Sequence, residues 1–253
     1  MTFLEHATAW VTIIWWMWKS AWIKFNSLIE FYENLFLWDT NDQNRMQNIL
    51  IDATKMPDRN SFLSGNGNKE FLLDYCDSLL QWCRSFWYCS FVFVCNTFHA
   101  LLPLLYENQI LTTNDYVYHL PLLTLEYVES LSNSIFLLWT SWMYTSNVYS
   151  SKRIILPTQK ERDIIHNVIY LYKMWKRSEH ILYKEYKKII EYYVETLDCV
   201  ILEWCTELPL INEMLFDIPS TSIQFVDPMK ITAQRIVLDY IQKLKNPCKY
   251  TLE

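Results

Sequence analysis

The chain has 253 residues, enough to bury a full core and to form one or two domains. It holds only two glycines, both in Ser64-Gly65-Asn66-Gly67, against a usual share of about 7%. That scarcity speaks against hairpin-rich sheets, dinucleotide folds and phosphate loops, which need positive φ or close backbone approach. A net charge of −6 weakens non-specific attraction to polyanions, and the seven cysteines contain no Cys-x-x-Cys pair. The composition therefore predicts an all-α fold, an irregular bundle of long helices in one or two helical lobes, with its thiols reduced in an intracellular compartment.

Thr2-Phe3-Leu4-Glu5 has the form of a capping box and opens a predicted helix to about Leu37 that carries Trp10, Trp15, Trp16, Trp18 and Trp22. From Ala9 to Trp18 only Thr12 is polar, so this helix must be covered by core, partner or bilayer interface. No basic leader or small-residue cleavage site marks a secretory signal. Asp39-Thr40-Asn41-Asp42 caps a short helix to about Thr54, and Pro57 to Asn68 is the clearest loop. Lys69 to Tyr106 reads as a third long helix bearing Cys76, Cys83, Cys89 and Cys95. Its second half nears transmembrane length, yet Ser90, Asn96, Thr97, His99 and Pro103 favour burial in protein. A further helix is expected from Pro121 to about Tyr149.

The spine of the bundle is predicted over about 158–206. Thr158 and Glu161 form its capping box, and Ile165, Val168, Tyr172, Trp175, Leu182, Tyr186, Ile189, Tyr193, Leu197, Val200 and Trp204 recur at steps of three and four. Glu179 interrupts that seam, so a break is expected near Ser178. Asp227-Pro228 opens a last helix to about Lys245. The resulting division is 1–56, 69–150 and 158–253, with no internal repeat of fixed period. Leu156-Pro157-Thr158-Gln159-Lys160-Glu161 and the helix after it resemble the segment opening the C-terminal helix of accessory subunits of polyhydroxyalkanoate synthases. The resemblance implies a helical protein at a polymer granule; any well-capped helix shows the same start.

Residues 151–190 hold ten Lys and Arg against four acids, the one basic stretch in an acidic chain. A solvated helix face is the plain reading, and a nucleic-acid track the sharper one. Asp163 and His166 share a helix face, but a di-iron bundle needs two such pairs with two further glutamates, so neither a metal nor a cofactor is expected. No GxSxG, HExxH, phosphate loop or protease-like cysteine nominates a catalytic residue. The favoured function is a non-catalytic helical interaction or scaffold subunit with a protein partner. The alternatives are an accessory protein at a membrane interface or polymer granule, and a nucleic-acid contact protein using 152–188. The candidate interaction surface is Trp15, Trp16, Trp18, Trp22, Lys173, Lys176, Arg177, Lys184, Lys187 and Lys188.

Overall fold

A computed structural model describes residues 11–15, 19–37, 45–57, 59–63, 65–86, 89–140, 144, 151–174, 181–217 and 222–245. It overturns the all-α expectation: the chain builds two four-stranded sheets in which every pair is parallel. The chain divides into two compact units, Met1–Leu120 with Met229–Glu253, and Pro121–Pro228.

The first unit contains β1 (Val11–Trp15), α1 (Lys19–Phe36), β2 (Asn48–Asp52), α2 (Arg59–Leu63), α3 (Lys69–Ser85), β3 (Ser90–Phe93), α4 (Leu102–Glu107) and β4 (Tyr116–Tyr118). Its sheet runs in the order β2-β1-β3-β4. Next come α5 (Leu120–Leu131), β5 (Ile135–Leu138), β6 (Ile154–Ile155), α6 (Gln159–Lys173), α7 (Ile181–Leu197), β7 (Val200–Glu203), α8 (Leu208–Leu215) and β8 (Phe225–Val226), and α9 (Pro228–Lys245) returns to the first unit. The second sheet, β6-β5-β7-β8, repeats the order of the first.

Most of the predicted helices fail for one physical reason. β1, β5 and β7 are buried along their whole length, so they carry no polar alternation and read as continuous apolar runs. A run of four or five such residues beside a helix extends that helix on paper. Hence the helix expected over 2–37 contains β1 and α1, and β2 replaces part of the one over 39–54. The helix over 69–106 resolves into α3, β3, a 3-10 turn at Asn96–Leu101 and α4. The one over 121–149 contains α5 and β5, and the spine over 158–206 is α6, α7 and β7. Cys76 and Cys83 do lie on α3, but Cys89 is exposed ahead of β3 and Cys95 follows it.

Local signals that act over one helical turn behave as expected. Thr158 and Glu161 form a reciprocal capping box on α6, and α9 starts at Pro228. Asn68 caps α3 by accepting from the Phe71 N–H at 3.0 Å, and Leu72, Cys76, Leu80 and Cys83 turn one face of that helix into the core. In the second unit Phe136 of β5 stacks on Tyr193 of α7 with ring centroids 3.8 Å apart. A buried polar chain ties three elements there: the Tyr186 hydroxyl donates to Asn212 Oδ1 at 2.9 Å, and Asn212 Nδ2 donates to Glu203 Oε1 at 2.8 Å. Such a chain keeps its members satisfied away from water. Among the described residues, no helix is long and apolar enough to cross a membrane.

Because Phe136 is wholly buried, Phe136→Ala should lower stability by about 3–5 kcal/mol. Denaturant unfolding measures this, and a loss below about 1 kcal/mol, the size expected of a surface change, would contradict the described core.

Candidate functional site

In an open parallel sheet, ligands bind outside the carboxyl ends of the strands where the strand order reverses direction. Here the chain leaves β1 toward β2 and then crosses to β3 on the other side, so the reversal lies between β1 and β3. The same order places the second reversal between β5 and β7. Each of these points carries a thiol. Cys95 stands two residues beyond Phe93, the end of β3, and Cys205 two residues beyond Glu203, the end of β7. The residue before each cysteine is held to the neighbouring strand by the same bond: Val94 N donates to Ile14 O at 3.0 Å, and Trp204 N donates to Leu138 O at 3.0 Å.

Cys205 sits in a charged setting at the start of α8. Its thiol donates to Glu207 Oε2 at 2.8 Å, and Thr206 Oγ1 donates to the same oxygen at 3.2 Å. The other carboxylate oxygen, Oε1, lies 3.2 Å from Lys173 Nζ of α6, with side-chain exposures of only 2% for Glu207 and 13% for Lys173. Burial pushes the Glu207 carboxyl up, but Lys173 and the Cys205 thiol outweigh it, so the carboxyl stays below its ordinary range. Burial would likewise lower Lys173, yet Glu207 and Cys205 hold it above its ordinary value as an ammonium. Burial and then the Glu207 charge push the Cys205 thiol well up, with Lys173 working in the opposite sense. The resting group is a thiol beside a fixed ion pair. On the facing strand end, buried Thr140 Oγ1 has no hydrogen-bond partner among the described residues. Tyr144 braces that end by accepting from Trp139 N at 2.7 Å and donating to Leu137 O at 3.3 Å.

Cys95 has a different setting. It is buried at the head of the 3-10 turn, where its carbonyl accepts from Phe98 N at 3.0 Å. Behind it, His99 Nε2 lies 3.1 Å from Phe93 O, and the His99 and His119 rings stand 4.6 Å apart. Burial, then His119, drives His99 well below the ordinary imidazole value, and burial brings His119 down to about 4. Both rings are therefore neutral near pH 7, which makes His99 Nε2 the donor to Phe93 O. Among the described residues no group of three His, Cys, Asp or Glu is placed to hold a metal ion.

Of the candidate surface read from the sequence, Trp16, Trp18, Lys176 and Arg177 lie outside the described residues. Trp15 is buried in β1 and Trp22 half-buried on α1. Lys173 faces inward to Glu207, while Lys184 and Lys188 are exposed on α7 and Lys187 pairs with Glu191 at 3.8 Å. Sequence reasoning missed Cys95-Asn96-Thr97 and Cys205-Thr206-Glu207 altogether. A signal was present: each cysteine follows an apolar run, Phe91–Val94 or Val200–Leu202, and precedes a Leu-Pro-Leu, at 102–104 or 208–210.

No protein-family model and no curated protein matches the sequence. The fold, by contrast, has close counterparts among solved structures. The aspartate racemase of Picrophilus torridus superposes with a TM-score of 0.71 at 18% identity, covering 91% of this chain and 94% of that one. A putative Asp/Glu racemase from Yersinia pestis gives 0.71 at 16% identity, covering 92% and 99%. Glutamate racemase from Francisella tularensis subsp. tularensis, in complex with D-glutamate, gives 0.58 at 14% identity, covering 96% and 84%. An architecture shared with racemases across nine-tenths of the chain overturns the expected non-catalytic scaffold or accessory subunit.

The electrostatics of Cys205 can be checked directly. An anion beside a thiol disfavours the thiolate, so Glu207→Gln should shift the alkylation midpoint of Cys205 to lower pH. Iodoacetamide labelling against pH, resolved by peptide mass, reads this shift. An unchanged or higher midpoint would show that Glu207 does not govern the thiol.

Proposed function

We propose that the chain is an amino-acid racemase acting on an acidic amino acid, aspartate or glutamate, with Cys95 and Cys205 as its proton-carrying groups. The observation that carries this reading is the repeated placement of a thiol two residues beyond the same strand in each unit, anchored by the same backbone bond. The substrate class rests on the activities named for the structural neighbours.

Inversion at Cα needs a base for one face and an acid for the other. A thiolate takes the Cα proton and becomes a thiol; the electron pair left on Cα delocalises into the substrate carboxylate. A second thiol then gives its proton to the opposite face and becomes a thiolate. Each turnover leaves the two sulfurs with exchanged protonation, and proton exchange with water resets them. Cys205, held as a thiol by burial and Glu207, is the donor in one direction of reaction. In the other direction Lys173 offsets the Glu207 charge when Cys205 must act as thiolate. Thr140, whose buried hydroxyl has no partner among the described residues, supplies an O–H for the substrate carboxylate. Work of this kind requires reduced sulfur, which keeps a reducing intracellular compartment as part of the proposal.

Cys95→Ser and Cys205→Ser should each lower racemisation of aspartate or glutamate by about 10²–10⁴-fold while the fold is kept. Optical rotation of an L-amino-acid solution follows the reaction, and near-ultraviolet circular dichroism follows the fold. Parental rates in both variants would overturn the assignment of the thiols.

A further inference from the structure

The chain holds two glycines and twelve tryptophans. Both glycines sit where only glycine serves: Gly65 has φ of +82°, and a Cβ on Gly67 would lie 2.5 Å from the Phe62 Cα. In open parallel sheets glycine is also common at the carboxyl ends of the central strands, where the backbone turns tightly or approaches a ligand. None of those places in this chain has a glycine. Tryptophan occupies them instead. By sequence position Trp15, Trp16 and Trp18 end or follow β1, Trp139 and Trp142 follow β5, and Trp204 follows β7.

The placement repeats between the units. Ile14 O and Leu138 O accept the bonds that anchor the residue before each cysteine, and the residue after each is tryptophan, Trp15 and Trp139. In the second unit the Trp139 and Trp204 rings are fully buried with centroids 5.6 Å apart, so two indoles fill the switch point beside Cys205. A site built there needs small residues, so that backbone N–H groups and the thiol can be reached.

We propose that these tryptophans mark UGA codons that the cell making this protein reads as glycine, so that the working chain carries glycine at 15, 16, 18, 139, 142 and 204. UGA is a stop in the standard code, tryptophan in some variant codes and glycine in others. A single codon with two meanings exchanges glycine for tryptophan at every place it occurs and leaves glycines written with other codons untouched. That accounts for the scarcity of one residue and the surplus of the other together, and for the concentration of tryptophan at strand ends. The assignment rests on composition and fold, independently of the racemase reading. Only its consequence, an opened pocket where substrate reaches Cys205, rests on that reading.

Trypsin leaves Ile189–Lys230 as one peptide whose sole tryptophan is Trp204. In protein isolated from the cells that make it, this peptide should be lighter than its tryptophan form by the difference between an indolylmethyl group and a hydrogen, with its indole absorbance lost. The tryptophan mass would overturn the proposal, as would UGG codons at 139, 142 and 204 in the gene. Failure of the racemase reading would leave the peptide mass unaffected, so the two outcomes are separable.

Discussion

One backbone hydrogen bond, made once in each unit, sets the position of the two thiols on which the proposed function rests. Val94 N to Ile14 O and Trp204 N to Leu138 O pin the chain to the neighbouring strand one residue before each cysteine. Strand pairing fixes which residue comes last on the sheet, and the cysteine follows two residues later at the point where strand order reverses. The burial of β1, β5 and β7 on both faces is the condition for this, since a strand enclosed by helices cannot slip its register without stranding its backbone groups.

The two sulfurs share a position and differ in surroundings. Cys205 stands beside a carboxylate whose charge is balanced by a buried ammonium, so its proton affinity is raised by burial and then by Glu207, and tempered by Lys173. Breaking such a pair by removing one partner leaves an uncompensated buried charge, a cost of about 3–5 kcal/mol. No ion pair of that kind lies on Cys95 among the described residues; the imidazoles behind its strand are neutral. The proposed reaction asks one sulfur to give a proton while the other takes one.

The sequence was most legible where structure is decided within a few residues. The Thr158–Glu161 capping box and the Asp227-Pro228 start needed nothing beyond their own turn. The strands were illegible because alternation marks only half-buried strands, and Val-Thr-Ile-Ile-Trp or Val-Ile-Leu has none. Glycine scarcity then turned a missing signal into a misleading one, since the strand ends at 15, 139 and 204 carry tryptophan in this chain. If those codons specify glycine, the same exchange explains both the false all-α expectation and the crowding beside Cys205. The cysteines were passed over because each looked like a small apolar residue at the end of an apolar run. Their significance lies in the recurrence of that run with Leu-Pro-Leu behind it.

The most direct test of the central claim, that two thiols at equivalent strand ends share the proton transfer, is racemisation of an L-amino acid, aspartate or glutamate, in deuterium oxide, with deuterium in both enantiomers measured at early times. With separate proton donors and acceptors, deuterium should enter the D-product while the recovered L-substrate keeps its protium. Equal deuterium in both enantiomers from the start would mean that a single group serves both faces, and would contradict the account.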